Sequence, residues 1–408
     1  SMLEYFFSID QKEKSIGLFS GLTIEKRGKA YMKYQGSRPV VSISLKNVQR
    51  NTWERTVSLL GIFLADLYGN FEYLYTSEKI NDALKTYFYK VMHGTATQEE
   101  LIVALLRLTK MLQLHHGQPV IVLIDEYDAP IQMSWECGFY DECIGFMRQF
   151  LGSVLKTNDA LDFAVLTGVL RIAKESIFSG LNNLDVCSVL RDKYSNVFGF
   201  TAEEVAKLVE DVGKPNILVE LKKWYDGYLL DGYQVYNPKA VVSVMTKGRF
   251  RSYWSETGSY EVVVPLICMN YDGLKNAIIE MLSGSEVKVD TATFKNDPAE
   301  IQNRDDVITY LIHLGYLGYN EDSESAFVPN EEIRQELITA VRSSNWDELI
   351  AFQQESRKLL TATLSMDEKQ VAAEIDKFHS QYASMIQYND ENSLSSIITI
   401  AYLGAMQD

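Results

Sequence analysis

The chain contains 408 residues, of which 46% are hydrophobic and 23% are charged, and this length suffices for two or three globular domains. Its formal net charge of −16 disfavours binding of nucleic acids or anionic lipids by the protein as a whole, although a local basic groove is compatible with that charge. No apolar run of about 18 residues occurs, so we expect no membrane span.

Three short apolar runs rich in β-branched residues predict strands in the N-terminal half. They are PVVSISL at 39–45, PVIVLID at 119–125 and LDFAVLT at 161–167. Each run is nearly continuous in apolar character and is bounded by turn residues or charges. This pattern is typical of strands that are buried on both faces of a parallel sheet.

Helical segments are predicted between these strands. They cover residues 51–68, 78–94, 98–113 and a single segment around 140–155. Leucines recur at helical spacing in the third segment, so that segment has one apolar face. The alternation of strands and helices predicts βαβ units, and therefore an α/β fold with an open parallel sheet and helices on both sides.

After about residue 200 the chain is predicted to be mostly helical, up to residue 382. Thr201 followed by Glu204 is a capping-box signature, which predicts a helix over 201–213. Farther on, a helix ends near Gly315, a short hairpin follows, and Asn330 is expected to cap the next helix. This order of helix, hairpin and helix predicts a winged-helix-like module.

The second strand delivers two adjacent carboxylates, Asp125 and Glu126, to its carboxyl end. Open α/β sheets bind ligands at this end of their strands. One carboxylate can hold Mg²⁺, usually through a water, while the other orients an attacking water molecule. An apolar run followed by Asp–Glu is the Walker B pattern. A strand that simply ends in solvent-facing acids is the alternative interpretation.

The third strand supports the nucleotide interpretation because it also ends in a polar residue, Thr167, with Arg171 shortly after it. A polar tip next to Walker B suits contact with the γ-phosphate, and Arg171 suits the negative charge of phosphate. Alternatively, Arg171 is a surface arginine or pairs near Asp128. Asp128 itself is expected to cap the helix that opens at Pro130, to support the metal site, or to do both.

The four cysteines are scattered and form no C-x-x-C pair. This usage favours reduced thiols in small core positions and a cytoplasmic protein.

Several stretches together resemble the AAA-ATPase-like family, in which a P-loop ATPase is joined to a C-terminal PD-(D/E)XK nuclease-like domain. These stretches are SMLEYFF, LFSGL, VIVLIDEYDAPI, LTGVLRIAKESIFSGLNNL, KWYDGY, VYNP, YWSETG and FVPNEEI. The resemblance covers most of the chain. It implies a P-loop NTPase-like sheet over 1–200, a helical lid and winged-helix-like region over 201–382, and the start of a nuclease-like domain over 383–408.

The resemblance also implies ATP and Mg²⁺ as cofactors. It assigns Asp125 and Asp128 to the metal, and Glu126, Thr167 and Arg171 to catalysis. In the family a Walker A loop precedes the segment that matches SMLEYFF, and no G-x-x-x-x-G-K-[ST] occurs in the 408 residues. Such a loop supplies most of the phosphate affinity. The sequence therefore reads as the middle of a longer protein, and we expect it to hydrolyse ATP poorly by itself.

We expect a nucleotide-dependent switch that acts on a protein partner or on its own C-terminal domain. The alternative is a non-enzymatic regulatory or scaffold protein that uses a P-loop fold to bind partners. Direct nucleic-acid binding by the winged-helix-like module is not expected, because residues 305–317 contain no Lys or Arg and the wing is acidic. The aromatic residues of KWYDGY and YWSETG are interpreted as packing between domains rather than as a platform for bases.

Overall fold

A computed structural model of the chain describes residues 1–169, 184–190, 194–230, 232–254, 260–269, 271–294, 300–343 and 358–382. The described residues up to Asp185 form one compact unit, unit 1, and those from Val186 onward form a second, unit 2. The fold is α/β with three parallel strands, as the sequence predicts. Within the described part of the chain, no helix has both the length and the apolar character that a membrane span requires.

Unit 1 contains the parallel sheet. Its strands are β1 (Val40–Ser44), β2 (Val120–Asp125) and β3 (Leu161–Leu166). Its described helices are α1 (Met2–Phe7), α2 (Thr23–Lys26), α3 (Lys29–Met32), α4 (Trp53–Gly69), α5 (Asp82–Met92), α6 (Gln98–Ile102), α7 (Ala104–His116), α8 (Ala129–Cys137) and α9 (Tyr140–Leu155). The three predicted strands are confirmed to within one residue at each end.

The strands lie in the order β1-β2-β3, and both pairs are parallel. At their carboxyl ends, Ser44 of β1 is opposite Asp125 of β2, and Ile124 of β2 is opposite Leu166 of β3. The last residues of all three strands therefore meet at one edge of the sheet, which we call the carboxyl edge. Every residue of β2 before Asp125 is buried, because β2 has a strand on each side and helices pack against the sheet.

Two sequence predictions about burial are wrong in part. β3 is not buried on both faces, and the side chain of Phe163 is 38% exposed. Among the described residues β3 pairs with β2 alone, so it has the exposure of an edge strand. The cysteines were expected in the core, but only Cys143 is buried, and the other three lie at exposed positions.

Two helix predictions also differ from the structure. The segment 98–113 is not one helix but two, because the backbone leaves the helical path at Val103. The carbonyl oxygen of Ile102 accepts a hydrogen bond of 2.9 Å from the Ser153 hydroxyl, a tertiary contact with α9. Between β2 and β3 there are likewise two helices, since Gly138, with a φ of 81°, ends α8 before α9 begins.

Unit 2 is mostly helical and contains two small antiparallel sheets. Its described helices are α10 (Ala202–Asp211), α11 (Leu218–Tyr225), α12 (Pro238–Lys247), α13 (Tyr260–Ile267), α14 (Leu274–Leu282), α15 (Arg304–His313), α16 (Glu331–Ser343) and α17 (Glu368–Tyr382). Its strands are β4 (Tyr228–Leu230), β5 (Tyr233–Val235), β6 (Val287–Lys288), β7 (Gly318–Asn320) and β8 (Ser325–Phe327). The helix, hairpin and helix order is present as α15, β7–β8 and α16, and its assignment as a winged helix stays a prediction.

Two helix N-termini in unit 2 were predicted correctly from residues that are close in sequence. Thr201 and Glu204 form the capping box of α10, as predicted. The side chain of Asn330 accepts a 3.0 Å hydrogen bond from the backbone N–H of Ile333, so the predicted cap of α16 is confirmed. Residues 383–408, which the sequence assigned to a nuclease-like domain, lie outside the described residues.

Candidate functional site

Two of the predicted site residues meet at the carboxyl edge of the sheet. Asp125 is the last residue of β2, and Thr167 directly follows β3. The hydroxyl of Thr167 donates a hydrogen bond to Oδ1 of Asp125, and the backbone N–H of Thr167 donates to the carbonyl oxygen of Ile124 at 2.8 Å. Both side chains are exposed, so the carboxylate is held in place but stays accessible to a ligand.

Glu126 lies next to this pair in an unusual backbone conformation. Its φ is 51°, in the left-handed region, which costs a residue with a side chain about 1–2 kcal/mol. After Glu126, the N–H of Tyr127 donates to the carbonyl oxygen of Thr167 at 3.1 Å. Strain of this kind is often retained at functional sites. Here it couples the end of β2 to the residue that follows β3.

Lys46 joins the site from the loop after β1, and it was not among the residues predicted from the sequence. Its Nζ lies 3.6 Å from Oε1 of Glu126, although the lysine side chain is 67% exposed. A signal for Lys46 was present in the sequence. Because β1 and β2 are neighbouring parallel strands, a residue just after β1 must lie close to one just after β2. Lys46 therefore places one positive charge beside Glu126.

Asp128 lies below the turn rather than at its surface. It is the N-cap residue of α8, the position that one sequence-based alternative expected, although its carboxylate makes no capping hydrogen bond. The residue is 2% exposed and lies close to Gly168. A Cβ added to Gly168 would be 2.5 Å from Oδ1 of Asp128 and 2.8 Å from the Tyr127 ring. The glycine thus lets the chain after β3 approach the turn after β2.

The remaining predicted residue, Arg171, lies outside the described residues. The opening helix α1 lies against β1. Its C-terminal end is at the amino edge of the sheet, because Ser8 forms a parallel bridge with Arg38, just before β1. The ring of Phe7 also contacts that of Phe163 near the start of β3, with 5.7 Å between the centroids. The N-terminal end of α1 therefore points away from the amino edge.

The donor set at the carboxyl edge consists of oxygen atoms, which are the ligands of hard cations such as Mg²⁺. No group of three His, Cys, Asp or Glu side chains in the described residues could hold a metal ion by itself. A cation at Asp125 would thus take most of its ligands from water or from a bound phosphate. Mg²⁺ is commonly bound in proteins in this way, through one or two carboxylates.

The aromatic motifs of unit 2 are packed inside that unit. Tyr225 is fully buried, its ring stacks on that of Phe250 at 6.1 Å, and its hydroxyl donates to the carbonyl oxygen of Arg251 at 2.8 Å. The hydroxyl of Tyr228 donates to the carbonyl oxygen of Gly315 at 2.9 Å. Packing between domains was predicted for these residues, but the contacts form a core within unit 2. They do not form an exposed stacking platform.

The same region of unit 2 buries two carboxylates that no sequence motif indicated, those of Asp226 and Glu332. Glu332 is completely buried, and its Oε1 accepts the backbone N–H of Tyr253 at 2.6 Å and that of Trp254 at 3.0 Å. Burial raises the pKa of Glu332 to about 7. Asp226 is 4% exposed, and burial likewise raises the pKa of its carboxyl group.

The predicted recognition helix of the winged-helix-like module is α15. Seven of its ten residues, from Asp306 to Ile312, are buried in unit 2. Its cation is Arg304, which pairs with the adjacent Asp305 at 2.8 Å. A helix buried in this way cannot enter a DNA groove. The expectation that this module does not read DNA directly stays a prediction.

In a comparison with known proteins, the N-terminal part of the chain matches a protein family. Residues 1–178 match the model of the AAA-ATPase-like family, which is described as "Predicted AAA-ATPase". A similar protein is the "Uncharacterized protein in vnfD 5'region" of Azotobacter chroococcum mcd 1, 39% identical over 152 residues. That match covers 37% of this chain and only 29% of the relative. No solved structure matches the chain significantly. The family resemblance that the motifs indicated is confirmed over residues 1–178.

Proposed function

We propose that residues 1–178, which match the AAA-ATPase-like family, form the nucleotide domain of a magnesium-dependent ATPase that works as a switch. One observation carries the proposal. Two neighbouring parallel strands present Asp125 and Thr167 in hydrogen-bond contact at the carboxyl edge, with Glu126 adjacent. Open parallel sheets bind their ligands at this edge. The family description supports a nucleotide as that ligand.

In the proposed site, Asp125 holds Mg²⁺ and Thr167 holds Asp125. The hydroxyl of Thr167 fixes the carboxylate by donating to one oxygen, which leaves the other oxygen available to the metal or to a metal-bound water. When bound, Mg²⁺ would neutralise charge on the phosphate oxygens. Asp128, buried against Gly168, supports the turn that presents these groups.

Glu126 is proposed to orient the water that attacks the γ-phosphate. Its left-handed backbone turns the side chain away from the strand, toward the side where β1 ends and Lys46 lies. Lys46 offsets the charge of Glu126 and restricts where its carboxylate can point. Arg171 is proposed, from the sequence alone, to contact phosphate and, together with Thr167, to sense it.

The proposed output of the switch is a change in the helical part of the protein. Nucleotide binding and hydrolysis would reposition unit 2, with its winged-helix-like module, and would act on a protein partner or on a C-terminal domain. The 408 residues contain no G-x-x-x-x-G-K-[ST] loop. Because such a loop supplies most of the phosphate affinity, we propose that this chain by itself hydrolyses ATP poorly.

The proposal is tested by melting the 408-residue chain, and a version extended at its N-terminus through a G-x-x-x-x-G-K-[ST] loop, with and without Mg-ATP. A ligand at 100 times its dissociation constant adds about 2.7 kcal/mol to the free energy of unfolding. We expect this stabilisation only in the extended protein. We also expect Asp125→Asn to reduce it.

The matched control is Asp159→Asn, which removes an exposed carboxylate just before β3, at the opposite edge of the sheet. It should leave the nucleotide effect unchanged. If neither protein is stabilised by Mg-ATP, the result favours the alternative in which the fold serves as a non-enzymatic scaffold. If Asp125→Asn and Asp159→Asn behave alike, the carboxyl edge is not the nucleotide site.

A further inference from the structure

Residues 11–38, between α1 and β1, form a basic segment within an acidic protein. They contain seven Lys or Arg and two Glu, a net charge of +5, while all other residues together carry −21. The segment belongs to unit 1 and includes the short helices α2 and α3. The net charge of the whole chain hides this concentration of positive charge.

The basic segment is folded, so its charges have a defined arrangement. The beginning and the end of the segment lie side by side, because the side chain of Gln35 donates a 3.2 Å hydrogen bond to the carbonyl oxygen of Ser15. The aliphatic part of Lys12 packs against Gly36. Phe19 anchors the segment to α1, with its ring 5.0 Å from that of Phe6. The cations at the beginning and at the end of the segment therefore belong to one folded substructure.

Most of these cations are not neutralised within the protein. Six of them are exposed and form no ion pair with any described residue, namely Lys12, Lys14, Lys26, Arg27, Lys29 and Lys33. Arg38 differs, because it pairs with Asp162 at 2.8 Å. Of the two acids, Glu25 is already engaged by the backbone N–H of Gly21 at 2.6 Å. The segment thus presents a positive surface that has no internal counterpart.

Exposed aromatic rings lie among the cations. Tyr31 is 52% exposed and Tyr34 is 41% exposed, and Nζ of Lys33 lies 4.9 Å from the centroid of the Tyr34 ring. Surfaces that bind single-stranded nucleic acid combine cations, which follow the backbone, with aromatic rings on which bases stack. Tyrosines and lysines in this alternation therefore point to a polyanion with accessible bases.

Two other polyanionic partners fit less well. A duplex reader usually inserts a helix into the major groove, but α2 and α3 have four residues each. A membrane-surface helix needs a continuous apolar face. In this segment the exposed aliphatic side chains of Ile16, Leu18 and Leu22 instead lie in turns, outside regular helices. Base stacking explains the exposed tyrosines, and neither alternative requires them.

We infer that the basic segment binds single-stranded nucleic acid, with its free cations at the phosphates and Tyr31 and Tyr34 stacked on bases. The acidic charge of the whole chain disfavours such binding elsewhere on the protein, but it is compatible with a local basic surface. The inference is independent of the proposed ATPase, because the segment precedes β1 and none of the proposed catalytic or metal residues belongs to it.

The test uses the 408-residue chain and fluorescein-labelled oligo-dT and oligo-U of about 16 nucleotides, a length near the upper end of known single-strand sites. Fluorescence anisotropy is measured over a range of salt concentrations. The triple variant Lys26→Gln, Arg27→Gln, Lys29→Gln should bind about tenfold more weakly. Its plot of log affinity against log salt should be less steep by about 2, since each phosphate contact contributes about 0.7.

A matched control removes three exposed cations from unit 2, with the same change in net charge. It carries Lys207→Gln, Lys223→Gln and Lys239→Gln, and it should bind like the unaltered chain. The double variant Tyr31→Ala, Tyr34→Ala should lose about thirtyfold or more in affinity with an unchanged salt slope, because stacking involves no counterion release. Tyr233→Ala, which removes a tyrosine that is 50% exposed in unit 2, is its control.

Three results would overturn the inference. The first is the absence of oligonucleotide binding even at low salt. The second is an equal loss of affinity in the basic-segment variants and in their unit 2 controls. The third is binding to phosphatidylserine vesicles but not to oligonucleotides, which would identify the segment as a membrane contact instead. Far-UV circular dichroism and melting of each variant show that a loss of binding is not a loss of folding.

Discussion

In unit 1 the carboxylates of Asp125 and Glu126 lie at the open edge of a sheet, whereas in unit 2 those of Asp226 and Glu332 are buried among aromatic side chains. The first pair is held by single polar contacts with Thr167 and Lys46. In the second pair, Glu332 is held by two backbone N–H groups, and burial raises both pKa values. The two regions place the same functional group in opposite environments.

This difference limits the use of shifted pKa values as a guide to functional sites. Strongly shifted pKa values and buried charges often mark catalytic residues, but structural networks produce them too. In this protein the shifted carboxyl group of Glu332 joins α16 to the chain at Tyr253 and Trp254, so its role is structural. The candidate site is instead indicated by its position at the carboxyl edge and by its accessibility.

The largest effect that separates the two regions is expected from Gly227→Ala in unit 2. Gly227 has a φ of 99°, and an added Cβ would overlap the carbonyl oxygen of Pro329. A left-handed alanine combined with a clash against backbone should cost about 4 kcal/mol of stability. Hydrogen exchange measured by mass spectrometry should show faster exchange in α11 and α16, with the sheet of unit 1 unaffected.

The control is Gly248→Ala, which has a similar left-handed φ of 68° but open space around the added methyl group. It should cost only about 1 kcal/mol. Equal effects of the two substitutions would mean that the approach of Gly227 to Pro329 does not hold unit 2 together.

The next effect is a dependence of stability on pH that comes from Glu332. Because burial raises its pKa in the folded state above the ordinary value, the folded state binds the proton more tightly than the unfolded state. The stability that protonated Glu332 contributes is therefore fully present below the ordinary pKa of a glutamate and is lost as the pH rises through about 7. The neighbouring Glu336 acts in the same direction.

Between about pH 5 and pH 8, Glu332 should reduce the free energy of unfolding by about 2 to 3 kcal/mol. Glu332→Gln keeps an oxygen acceptor for the two backbone N–H groups and removes the titration. Urea denaturation at both pH values should show a smaller decrease in the variant than in the unaltered chain. Glu203→Gln, at an exposed position in the first turn of α10, should not change the decrease. A variant that loses as much stability at high pH as the unaltered chain would contradict the assignment.

The two regions also differ in how much the sequence revealed. The carboxyl edge was predictable because parallel strands end together, so polar residues after successive apolar runs had to meet. The contact between Asp125 and Thr167 followed from that rule. The contact between Asn330 and Asp226 in unit 2 follows from no such rule. Asn330 donates to the carbonyl oxygen of Asp226 from 104 residues away, and no local periodicity indicates that pairing.

Other mismatches have the same origin in tertiary contacts. The break at Val103 accompanies the hydrogen bond of Ile102 to Ser153, which lies on another helix. The exposure of Phe163 depends on which strands flank β3, and an apolar run alone cannot show whether its strand is central or at an edge. Lys46 was missed because an exposed lysine after a strand is common and carries no motif.

A smaller effect in unit 1 is expected from Thr167→Val. This change removes the hydroxyl that donates to Asp125 but keeps the size of the side chain. Because both groups are exposed, stability should change by no more than about 1 kcal/mol. In the extended protein, Mg-ATP affinity measured by calorimetry should fall about tenfold. Thr167→Ser should retain most of the affinity, and equal loss in both variants would argue against the hydroxyl as the positioning group.

The smallest effect on stability is expected from Lys46→Met. The ion pair with Glu126 is mostly exposed, so its loss should change unfolding by about 0.5 kcal/mol or less. Lys90→Met breaks another exposed pair in unit 1, Lys90 with Glu100, and provides the matched control. In the extended protein only Lys46→Met should alter ATP turnover. Unchanged turnover in Lys46→Met would remove this lysine from the proposed site.

The most direct test of the central claim compares turnover and binding in the extended protein carrying Glu126→Gln. If Glu126 orients the attacking water, ATP hydrolysis should fall by about 100-fold or more, while stabilisation by Mg-ATP is retained. A glutamine variant that hydrolyses ATP at the unaltered rate would contradict the assignment of the carboxyl edge as the site of hydrolysis.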